Sequence, residues 1–156
     1  MAVMSTGQAR MAWVDGIERV ALRRLLWVGP MAVGAATVAN EAARRLLLAL
    51  VPGVPSDFVA LEASAVAMMT VIFTIAAVAV FAAVAKLSIQ PIRAYQIVSA
   101  VALVLSLFPD VMLLNDPTAT VCAVGALMTL HAVAAAAVVW PLCTLTREAR
   151  SWPVRH

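Results

Sequence analysis

The sequence predicts an all-α, integral membrane bundle of four transmembrane helices with both termini in the cytoplasm, and three observations predict it. Hydrophobic residues make up 64% of the 156 positions and charged residues only 12%, well beyond the usual soluble balance. The apolar residues gather into four stretches, about 25–51, 63–85, 95–114 and 120–145, each approaching or exceeding the ~20 residues an α-helix needs to cross ~30 Å of hydrocarbon. The basic residues then alternate from side to side. Arg10, Arg19, Arg23 and Arg24 precede the first stretch, Lys86 and Arg93 separate the second from the third, and Arg147, Arg150 and Arg155 follow the fourth. Those are nine of the eleven, and the first and third connections hold Asp57, Glu62, Asp110 and Asp116 instead. The positive-inside rule places both termini and the middle loop of a plasma-membrane protein in the cytoplasm, with Arg44 and Arg45 as dissenters near the outer end of span one.

Because the cations sit at helix ends, the net charge of +3 describes threading and gives no sign of a nucleic-acid surface. The expected partners are the lipid bilayer and, through small-residue faces, other membrane helices or a second copy of the chain. A soluble alanine-rich bundle would need a polar face every 3.6 residues, yet Val66 to Ala85 is interrupted only by Thr70 and Thr74.

Residues 1–24 form a cytoplasmic segment in this reading. Met11, Val14, Ile17, Val20 and Ala21 repeat at helical spacing while Arg10, Asp15, Glu18, Arg19 and Arg23 take other faces. Two readings stand: an amphipathic helix on the cytoplasmic leaflet, with Trp13 and Trp27 in the headgroup zone, or an extension of span one into water. A signal peptide ending at Ala39 would have an unusually long basic region and no helix stop. Span one includes Gly29-Pro30, which should bend it, and then the densest polar cluster of the chain. Within that cluster Asn40 with Arg44 and Glu41 with Arg45 are i,i+4 pairs, so Glu41, Arg44 and Arg45 are read as an interfacial charge cluster. Pro52-Gly53 and Pro55-Ser56-Asp57 end the span, with Ser56 or Asp57 able to cap an outer-loop segment before span two.

Span two, with Ala63, Ala67, Ala76, Ala77, Ala79, Ala82 and Ala83, offers small surfaces for close helix approach. Ser88-Ile89-Gln90-Pro91 makes the cytoplasmic turn, and Tyr95 is expected as an interfacial aromatic. Pro109-Asp110 interrupts span three, so its last turn beyond Phe108 is expected either to kink or to lie along the outer interface, and Asp110 is assigned to the outer connection. Asn115-Asp116-Pro117-Thr118 is an outer turn, with Thr118 or Thr120 capping span four. Trp140-Pro141 marks the inner end of span four, and residues 147–156 form a basic cytoplasmic tail. Cys122 and Cys143, both in span four, are 21 residues apart. A helix separates them by about 31 Å, which excludes a disulfide between them, and no CxxC is present.

An ionisable group in hydrocarbon is costly, so His131, in the middle of span four, is the most informative single residue. Alternating helix directions bring Asn40, Thr70, Ser106 and His131 to similar depth, at or slightly outside the midplane. One reading makes His131 a proton-accepting or ligand-binding group in an outward-facing pocket with Asn40 and Ser106. The other makes it a neutral histidine whose hydrogen bonds lock the bundle. His156 lies at the opposite end of the chain, so neither a bis-histidine haem nor a zinc site is expected, and no cofactor or metal is assigned. No HExxH, GxSxG, P-loop or dinucleotide fingerprint occurs, and no enzyme is expected.

The asparagine late in span one, the turn from Lys86 to Arg93 with Pro91, the run Leu105-Ser106-Leu107-Phe108-Pro109 and the run Leu127-Met128-Thr129-Leu130-His131-Ala132-Val133-Ala134-Ala135 resemble a bacterial four-helix membrane family, domain of unknown function 6069. The likeness spans roughly 25–146. By that resemblance Asn40, Ser106, Pro109 and His131 are signature positions, while Arg44-Arg45 and the long N-terminal extension depart from the pattern. The resemblance implies no known activity. The expected function is that of a structural or accessory multi-pass protein with helix-packing surfaces. The alternative is a small transporter or a lipid- or small-ligand-binding protein with an outward-facing polar site around His131.

Overall fold

The computed structural model describes residues 20–55, 58–117 and 119–148. The expectations for residues 1–19, for Ser56, Asp57 and Thr118, and for the tail from 149 onward lie outside the described residues. Four α-helices run in order: α1 (Leu25–Leu50), α2 (Ala63–Leu87), α3 (Pro91–Met112) and α4 (Val121–Leu145). Short 3-10 turns at Leu22–Arg24, Val59–Leu61 and Leu113–Asn115 mark their ends. Each helix packs on its two neighbours in the ring α1, α2, α3, α4, and α1 packs most extensively against α4 and α2.

Three helical segments, Ala63–Leu87, Pro91–Asn115 and Val121–Leu145, are long and apolar enough to cross a membrane. At 26 residues α1 is long enough too, about 39 Å, but it carries Asn40, Glu41, Arg44 and Arg45 and stays outside that set.

The seam of α1 explains its central place. Val28, Gly29, Ala32, Ala36 and Asn40 recur at spacings of three and four and are its buried residues. All but Asn40 and Val28 are small, so neighbouring backbones come close; a β-carbon at Gly29 would lie 3.2 Å from Val78 Cγ1. Two apolar cores fill the bundle, the first of them on this seam. One, at the end where the described chain starts and finishes, joins Val28 and Ala36 to Phe81, Ile92, Tyr95, Val138 and Leu142. The other, toward the opposite end, contains Leu61, Val66, Ala123, Ala126, Leu127 and Leu130.

Backbone bonds tie both ends. Ala21 N–H donates to Thr146 O at 2.9 Å, Val20 and Arg147 form an antiparallel bridge, and Arg24 Nη1 reaches the carbonyls of Leu145 and Arg147 at 3.3 and 3.1 Å. At the other end Thr120 caps α4 by accepting from Ala123 N–H at 3.1 Å, and its hydroxyl donates to Gly53 O at 3.2 Å. Gly53 has φ +87°, a left-handed conformation that costs a β-carbon-bearing residue about 1–2 kcal/mol. Gly53→Ala is therefore expected to lower stability by about 1 kcal/mol without changing the helix content seen by circular dichroism.

Two expectations are corrected here. Pro109 does not break span three: α3 runs through it to Met112, and Leu113 N–H reaches the carbonyls of Pro109 and Asp110, tightening the last turn into the 3-10 segment. A proline removes one intrahelical donor, and packed neighbours let a helix absorb that loss. Tyr95 is no interfacial aromatic. It is 1% exposed, and its ring meets Phe81 edge to face with centroids 4.9 Å apart. Pro91 starts α3 at its first position, where its missing N–H costs nothing, and Tyr95 therefore lies one turn into the packed core.

Candidate functional site

Three polar assemblies interrupt the apolar bundle. In the first, Asn40 Nδ2 donates to Thr70 Oγ1 at 2.8 Å, linking α1 to α2, and Thr70 Oγ1 donates in turn to Val66 O at 2.7 Å. One turn further on, Thr74 Oγ1 donates to Thr70 O at 2.6 Å. Threonines that bond back to the carbonyl four residues earlier need no partner helix, so Thr70 can present its oxygen as an acceptor to Asn40. Asn40 Oδ1 is buried and receives no hydrogen bond.

The second assembly lies between α3 and α4. His131 Nδ1 is 3.0 Å from Leu127 O, one turn back in α4, and 3.1 Å from Asp110 Oδ2 on α3. A carbonyl can only accept, so Nδ1 carries the hydrogen and directs it at Leu127 O. The carboxylate oxygen thus lies beside the imidazole but has no aligned hydrogen bond, and it is buried. Asp110 is 9% exposed at its side chain and His131 32%.

The third assembly is on α1. Glu41 Oε2 accepts from Arg44 Nε at 2.7 Å and Oε1 from Arg44 Nη2 at 2.8 Å, a bidentate clasp, while Oε1 also accepts from Arg45 Nε at 2.8 Å. Arg44 Nη1 adds a bond to Leu61 O at 3.3 Å, reaching the turn that precedes α2. Arg44 is largely buried and Arg45 projects outward.

The residues singled out from the sequence therefore separate. Asn40 and Thr70 meet directly. His131 bonds to neither Asn40 nor Ser106, and Ser106 donates to Leu103 O within its own helix at 2.7 Å. The expected pair of Asn40 with Arg44 does not form, since Asn40 turns inward to Thr70 and Arg44 turns to Glu41; the pair of Glu41 with Arg45 does. Asp110 is the residue that sequence reasoning missed. Reading Pro109-Asp110 as an interruption of span three assigned Asp110 to the outer connection, whereas an unbroken span would have flagged it at once as a carboxylate inside a membrane-length helix.

Among the described residues no group of three or more His, Cys, Asp or Glu side chains is placed to hold a metal, and Cys122 and Cys143 form no disulfide. The two best-formed concavities are shallow and open. They lie on the outward faces of α3 and α4, lined by residues such as Ala100, Val104, Leu103 and Ala136, and neither includes Asn40, Thr70, Asp110 or His131.

These features define a small all-helical bundle built largely from helices of membrane-crossing length, pinned by buried polar contacts between neighbours. The chain belongs to the family of unknown function DUF6069, whose profile matches residues 20–150. Neither a curated protein nor a solved structure matches it.

Proposed function

We propose that this chain is a non-enzymatic, structural or accessory multi-pass protein of the bacterial plasma membrane, with four spans and both termini cytoplasmic. One observation supports the structural role above all: Asn40 engages Thr70 and Arg44 engages Glu41, and neither of the two best-formed concavities opens onto them. For α1 as a fourth span, support comes from its length and from Glu41, which offsets charge on both arginines near its far end. For the threading, support comes from Val20 and Arg147, which pair at one end of the bundle where Arg23, Arg24, Lys86 and Arg93 also lie.

Paired substitution tests the structural role. Asn40→Ala and Thr70→Val should each lower the unfolding free energy in micelles by about 1 kcal/mol, and the double variant should lose less than the sum. Strict additivity would show that the Asn40–Thr70 bond contributes nothing to stability.

A second reading, a small transporter or ligand-binding protein with an outward-facing site at His131, is favoured by one observation. The buried Asp110 Oδ2 lacks an aligned donor beside an imidazole that is partly exposed.

A further inference from the structure

We infer that Asp110 and His131 together form a proton-binding site in the α3–α4 interface, an inference that rests on the second reading of that site and names its ligand as the proton. The geometry gives each residue a distinct part. Asp110, on the last turn of α3, is buried and holds the charge; His131, one-third exposed at its side chain, is the member nearer the bundle surface. With Nδ1–H directed at Leu127 O, the imidazole keeps its second nitrogen, Nε2, as the seat for an incoming proton.

The charge balance then selects the occupancy. A neutral imidazole beside a carboxylate carries one net negative charge in a span-length helix pair, a costly state in a medium of low dielectric. One added proton, on Nε2 or on the carboxyl, makes the pair neutral; a second would leave it positive. The pair is therefore built to hold one proton beyond the Nδ1 hydrogen and to release or regain it as a unit.

Along the described helices few other titratable groups occur. On α2 no titratable side chain occurs from Ala63 to Ala85, and α4 has none besides His131 from Ala123 to Leu142. On α3, Asp110 stands alone from Gln96 to Met112, and on α1 Glu41, Arg44 and Arg45 are paired with one another. His131 is the one ion-pair partner of Asp110 among the described residues.

The test tracks the imidazole and the carboxyl separately in the full chain reconstituted in liposomes. Nuclear magnetic resonance of labelled histidine reads His131, and infrared difference spectra read protonated carboxyl groups as external pH is stepped. In Asp110→Asn, the pH response of the His131 resonances should differ from that of wild type, and Asp110→Glu should restore most of the wild-type response. In His131→Gln, the carboxyl band should change its pH dependence. A His131 titration identical in wild type and Asp110→Asn, in protein whose melting shows it folded, overturns the site. If Asp110→Asn does not fold, the infrared response of His131→Gln decides alone, and an unchanged band overturns the proposal. The sidedness of the response separates the two levels of inference. A response only to pH on the side of the Lys86 and Arg93 turn keeps the proton site and overturns the outward-facing reading; a response only to the opposite side supports both.

Discussion

Glu41→Gln is expected to lower the unfolding free energy by about 2–3 kcal/mol, because it leaves the largely buried Arg44 guanidinium without its carboxylate. Arg44 donates two bonds to Glu41, at 2.7 and 2.8 Å, and retains only Leu61 O at 3.3 Å when they are lost. The figure sits at or below the lower end for buried pairs because the Glu41 side chain is 25% exposed. Denaturant or thermal titration in micelles, followed by circular dichroism, measures it. Glu41→Gln combined with Arg44→Gln should recover much of the loss, since no unpaired charge then remains against the turn before α2. Arg45→Gln should cost under about 1 kcal/mol, as that side chain is 76% exposed. Equal losses from removing Arg44 and Arg45 would contradict the assignment of Arg44 as the buried member.

Phe81→Ala should cost about 3 kcal/mol. Phe81 is fully buried in the core that joins α1, α2, α3 and α4, and its ring stands edge to face against Tyr95 with an interplanar angle of 86°. Lipid tails solvate a phenyl ring about as well as a protein interior does, so what is lost in a bilayer is close-packed contact and the aromatic pair itself. Phe81→Leu should lose clearly less, and Met68→Ala on the exposed face of α2 should lose almost nothing. A comparable loss at Met68 would place the packing face of α2 elsewhere.

The helices were legible because each rests on a one-dimensional signal. Runs of apolar residues end at Pro52-Gly53, at Ser88 to Pro91 and at Asn115 to Pro117, and α1, α2 and α3 stop at or just before those places. The site was legible only in part. Asn40 and Thr70 could be set at matching depth from helix length and direction, and they bond. Rotation about each helix axis was not available from depth, which is why Ser106, at a comparable level, turns its hydroxyl to its own backbone. Tyr95 illustrates the same gap: its level near a helix end suits an interface, but its azimuth points it at Phe81.

By itself the sequence determined the all-helical class, the four helices and the family, since hydropathy and turn chemistry are read along one dimension. Only the tertiary structure decided which polar groups are partners. Carrying α3 through Pro109 brings Asp110 against His131, and closing α1 onto α2 sends Asn40 to Thr70 and leaves Arg44 with Glu41. Pairing depends on helix rotation and on whether packed neighbours absorb a proline, and both are settled by contacts between segments far apart in the chain.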